Sequence, residues 1–168
     1  MSLTRNILRS YRAPRDVLRD LVSGDLREPQ VLFFAILSCA LIFVAQWPAL
    51  QRATLLDPSV TFEQRMGGAL FATGFLLPLV LYGVAGILQL GLRMGRARVP
   101  GLWVRTAFFW AWLSITPLML VQAVLSAAVG PGGSVAVFGF VVAALFLYIL
   151  IQSLREVVAL AKEGKGPQ

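Results

Sequence analysis

The chain has no histidine and a single cysteine, Cys39, among 168 residues. No disulfide can close within it, and neither a Cys/His zinc site nor a histidine-based catalytic triad can be built from it. Charge is sparse at 14% of residues, against roughly 25% in a soluble domain. Acid is scarcer still: eight carboxylates face fifteen lysines and arginines. The acids, Asp16, Asp20, Asp25, Glu28, Asp57, Glu63, Glu156 and Glu163, all fall outside the long apolar runs or at their edges. Proton- or cation-coupled transport normally keeps an ionisable group at mid-membrane, and no such group is available. Ser114, Thr116 and Ser126 have no base near them in sequence, so no nucleophile is activated. The expectation is a protein that is not an enzyme, with no cofactor and no metal site.

What the chain does have is apolar length, with 58% of residues hydrophobic. Residues 102–125, LWVRTAFFWAWLSITPLMLVQAVL, are long enough to cross a bilayer at roughly 1.5 Å of rise per residue. This stretch is expected to be the middle of a membrane bundle. Its aromatic cluster, Trp103, Phe108, Phe109, Trp110 and Trp112, falls toward one end, where rings favour the headgroup boundary. Three further runs predict an all-α membrane protein, a four-helix transmembrane bundle with spans at about 30–50, 62–92, 103–129 and 134–152.

The signals between the runs divide the chain into a basic segment 1–28, a transmembrane bundle 29–155 and a flexible tail 156–168. In the first segment Leu3, Ile7, Tyr11, Leu18 and Leu21 recur at near-helical spacing, with Arg5, Arg9, Arg12, Arg15 and Arg19 between them and a break at Pro14. That pattern predicts an N-terminal amphipathic interfacial helix resting on anionic lipid. The basic start is too long, and the first apolar run too near spanning length, for a cleaved signal peptide. Trp47-Pro48 marks the end of the first span, Asp57-Pro58-Ser59 a turn, and Thr61 with Gln64 a capping box that opens the second span. Pro78 and Pro117 predict kinks in the second and third spans. Gly68 with Ala72, and Gly83 with Gly86, read as packing positions. Gln46, Gln89 and Gln122 are candidate interhelical hydrogen bonds.

Positive charge sets the orientation. Thirteen of fifteen Lys/Arg residues lie in the N-terminal segment, in the 93–105 connection (Arg93, Arg96, Arg98, Arg105) and in the tail, leaving only Arg52 and Arg65 in the first connection. The positive-inside rule then places both termini in the cytoplasm. The nine arginines Arg5, Arg9, Arg12, Arg15, Arg19, Arg93, Arg96, Arg98 and Arg105 are candidate contacts for anionic lipid or a partner. A nucleic-acid partner needs a basic face on a soluble fold, so the net charge of +7 does not point to one.

The order of features resembles the small Yip1-domain membrane proteins of bacteria. It comprises a basic amphipathic start, a span ending at Trp47-Pro48, a second span closing on LQLGLRMG, a basic loop, the segment RTAFFWAWLSITPLML, then Gly130-Pro131 and a last span. The resemblance implies a multi-pass protein of the bacterial inner membrane that acts through other integral membrane proteins, a second copy of itself, or membrane organisation. The alternative reading is a small permease or channel working as an oligomer.

Overall fold

In a computed structural model, which describes residues 3–24, 26–95, 99–130 and 132–163, helices form wherever the apolar runs predict them. The described residues form helices α1 (Leu3–Ser10), α2 (Pro14–Ser23), α3 (Glu28–Leu56), α4 (Phe62–Met94), α5 (Gly101–Val129) and α6 (Gly133–Lys162), and no strand. The last four have 29, 33, 29 and 30 residues. At roughly 1.5 Å per residue each exceeds about 40 Å, so each outruns a hydrocarbon core of about 30 Å by a turn or more.

Helix starts follow local chemistry. Pro14 and Pro29 occupy first-turn positions where no backbone donor is needed. The Thr61 capping box forms as expected, with the Gln64 amide N–H on Thr61 Oγ1 at 3.3 Å and the Thr61 N–H on Gln64 Oε1 at 3.2 Å. The Asp57 turn is held by Arg65, whose guanidinium donates to the Asp57 carbonyl at 3.0 Å. Gly130 closes α5 at φ 83° and ψ 170°, a backbone region essentially confined to glycine.

The centre is α5, which packs against α3, α6, α4 and the N-terminal helices. Three successive rings divide its neighbours, because consecutive helix positions point about 100° apart. Phe108 meets Phe146 of α6 at 6.3 Å between centroids, Phe109 meets Tyr82 of α4 at 4.9 Å, and Trp110 meets Phe34 of α3 at 5.2 Å. Phe34, Phe108, Phe109 and Trp110 are buried in protein, the last two with no exposed surface, and Tyr82 and Phe146 are half-buried. The expected headgroup belt is therefore corrected for Trp103, Phe108, Phe109 and Trp110, which neighbouring helices cover, while Trp112 is half-buried.

Three further expectations change. First, α3 does not stop at Trp47-Pro48 but runs on to Leu56. Pro48 removes one backbone bond, yet Ala49, Leu50, Gln51 and Ala53 favour helix, and ending it there would leave several more groups unpaired.

Second, residues 156–162 are not a flexible tail. They continue α6, and Glu156, Val157 and Leu160 are buried. Gly164 to Gln168 of that tail lie outside the described residues.

Third, the irregularity in α4 is a π-turn over Ala72–Leu76, just before Pro78. The Leu77 N–H reaches back five residues to the Ala72 carbonyl. The turn keeps one face inward. Thr73 and Leu81 are eight positions apart and would point about 80° apart on a regular helix, whereas one extra residue in the turn brings them within roughly 20°. Ala69 before it, Thr73 in its first half, and Leu81 and Ala85 after it are accordingly all buried. Pro117 lies inside α5, where Thr116 Oγ1 donates to the Trp112 carbonyl at 3.0 Å.

Candidate interaction site

The N-terminal segment folds as a helical hairpin that docks on the bundle. Its two helices bury Ile7, Val17 and Leu18 against protein, each contributing about 1.5–3 kcal/mol relative to an exposed position. The amphipathic pattern is thus present, but these apolar residues face α5 and α6 and not lipid. The turn residues supply the polar part of the dock. Ser10 Oγ accepts the indole N–H of Trp110 at 2.8 Å and donates to the Asn6 carbonyl at 2.8 Å. The Tyr11 hydroxyl donates to the Ser114 carbonyl at 2.6 Å. That carbonyl lies next to the one on Leu113, whose ordinary partner would be the N–H that Pro117 lacks. The hairpin therefore closes onto the weakened turn of α5. Burial holds the Tyr11 hydroxyl above its usual pKa, which keeps it a donor.

Along α2 two arginines grip α6. Arg15 Nε donates to Gln152 at 3.0 Å, and Arg19 pairs with the nearly buried carboxylate of Glu156 at 2.6 Å. The bond and charge of Glu156 push the Arg19 guanidinium above its ordinary value. Arg9 pairs with Asp20 at 2.7 Å, tying α1 to α2, and Arg105 of α5 pairs with Glu28 of α3. The N-terminal helices and the last turns of α6 therefore lie at one end of the bundle.

Of the nine candidate arginines, Arg9, Arg15, Arg19 and Arg105 hold protein partners. Arg5, Arg12 and Arg93 are exposed. Arg96 and Arg98 lie outside the described residues. Among the glutamines, Gln46 turns back toward its own helix, at 3.5 Å from the Ile42 carbonyl, and is corrected from an interhelical role. Gln89 lies against Gly101 of α5, and Gln122 against Gly139 of α6, each filling the space a Cβ would take. Both span neighbouring helices by packing. The expected helix packing at Gly68, Gly83 and Gly86 is absent within the chain: nothing approaches within 4 Å of the space a Cβ would occupy.

Sequence reasoning missed Ser10, Tyr11, Gln152 and Glu156. Glu156 follows Gln152 by one helical turn, so the two face the same way, and Pro117 announces a carbonyl in need of a donor. Those two signals were readable; which residues answer them depends on the fold.

Four helices long and apolar enough to cross a membrane, closed at one end by a docked hairpin, define a multi-pass membrane protein. Comparison with protein-family models, curated proteins and solved structures finds no match.

Proposed function

We propose that this is a non-enzymatic protein of the bacterial cytoplasmic membrane, with both termini inside, that works by packing against other integral membrane proteins or a second copy and so organises the membrane, as its resemblance to Yip1-domain proteins implies. The observation that carries this reading is the outer side of α4. Only 11% of its most apolar stretch is buried, and Gly67, Gly74, Gly83 and Gly86 are exposed with open space beside each Cα. In lipid, where helix association depends on close backbone approach, such a face fits another helix. The exposed Arg5, Arg12 and Arg93 at the hairpin end suit an anionic leaflet.

The test is gentle extraction at native expression with crosslinkers placed along α4. A defined membrane-protein partner or dimer, lost when Gly74 and Gly83 become leucine, is the expected result. A monomer without crosslinks, or solute flux through the purified protein in liposomes, overturns the reading. A carboxy-terminal reporter found outside the cell overturns the orientation.

A further inference from the structure

A cavity of about 420 Å³ lies between the hairpin and the first turns of α3. It falls in the roughly 300–1,000 Å³ range of ligand sites and far exceeds the voids of a packed interior. Leu21 and Leu26 form one wall, Phe33 and Phe34 the other, and Trp110 contributes to the lining from α5. Phe33 is 53% exposed and, with exposed Leu32 and Ile36, continues the apolar outer surface of α3. The cleft therefore opens onto the apolar outer surface of α3. Its polar lining lies on the other side: Asn6 and Asp20 belong to the hairpin, and Gln30 is one turn nearer the helix start than Phe34.

We propose that this cleft binds one phospholipid bearing an ammonium group, with an acyl chain between Phe33, Phe34 and Leu21 and the head at Asp20. The amides of Asn6 and Gln30 offer N–H donors to ester carbonyls. Asp20 offers a carboxylate to the ammonium, and Arg9, at 2.7 Å from Asp20, sets a cation beside it for the phosphate. The Asp20–Arg9 pair is neutral overall: a zwitterionic head supplies a cation for Asp20 as it takes Arg9 for its phosphate, whereas a net-anionic head takes Arg9 and supplies none. A partner helix fits poorly, because one turn about 10 Å across already fills roughly 400 Å³. The inference uses the membrane placement of the bundle and goes beyond the packing function, so either can fail without the other.

The full chain is reconstituted in vesicles of phosphatidylethanolamine and phosphatidylglycerol, each in turn carrying a diazirine on an acyl chain, and adducts are mapped by peptide. The expected result is ethanolamine-lipid adducts on residues 20–34, several-fold above those of the glycerol lipid. Filling the cleft by Leu21→Trp lowers them about tenfold while adducts on the outer side of α4 persist. Asp20→Asn, which leaves the cavity open, abolishes the preference while keeping the labelling, and it serves as the test if Leu21→Trp undocks the hairpin. Adducts confined to outward faces, equal labelling by both lipids, or an unaltered preference in Asp20→Asn overturns the proposal.

Discussion

Removing one oxygen at the hairpin turn tests whether the dock is as the structure describes. Ser10 and Trp110 have no exposed surface, and Ser10 Oγ is the acceptor for the indole N–H at 2.8 Å. Ser10→Ala leaves that donor buried and unpaired, at a cost of about 1–3 kcal/mol. Loss of the bond from Ser10 to the Asn6 carbonyl adds little, because it lies within one helical turn. At about 2 kcal/mol the undocked hairpin becomes roughly thirtyfold more populated.

Hydrogen exchange of α1 and α2 amides in detergent reads that population directly, since undocking is a local opening. Trp110→Phe alone also weakens the dock, by lost volume. In the double variant the orphaned donor is gone, so the combined effect falls short of the sum by about 1 kcal/mol. Exchange in α1 and α2 unchanged by Ser10→Ala, or strict additivity in the double variant, refutes the bond. Arg5→Gln is the control and leaves exchange as it was.

The Tyr11 hydroxyl carries a raised pKa, so the unfolded or undocked form deprotonates first. Docking is at full strength below about pH 10 and weakens as pH rises through the folded value, and Tyr11→Phe removes this alkaline limb of the exchange profile. Arg19→Ala strands the nearly buried Glu156 carboxylate and opens α2 more than Arg12→Ala does; adding Glu156→Leu recovers part of the loss, because the uncompensated charge is gone. In thermal unfolding, deletion of Phe75 from the π-turn restores a regular helix with its buried face still aligned, so it costs far less than deletion of Val84, which turns every later residue by about 100°.

The all-helical class and the number of spans were legible because apolar runs of spanning length leave few alternatives; the single N-terminal helix expected is two, Leu3–Ser10 and Pro14–Ser23. The Thr61 capping box and the central place of residues 102–125 were also readable, from residue spacing and the density of the run. The stop at Pro48 was misplaced because proline acts as a breaker in water, where freed backbone groups find solvent, and less so in lipid. The 156–162 segment looked like a tail because Arg155, Glu156 and Lys162 are charged; Arg19 brings a counter-charge from more than a hundred residues away, and short-range pattern does not contain it. The arginine-rich start read as a lipid surface for the same reason. Its amphipathicity was evident, but periodicity reports that an apolar face exists and not what covers it.

Packing is unequal along the bundle, and the solvent explains why. From Pro117 to Val129 no residue of α5 is buried, and the same holds for α3 beyond Cys39 and for α6 before Val142, so the buried residues of these helices all lie in their halves nearer the hairpin. Hydrocarbon tails compete on equal terms with leucine, so no hydrophobic force draws apolar helices together in mid-membrane. Where the hairpin meets water, that force acts in full on Ile7, Val17 and Leu18. The cohesion of the fold is therefore concentrated at its polar end. The opposite half is held by fewer close approaches, among them Gln122 over Gly139 and the π-turn of α4 against α3.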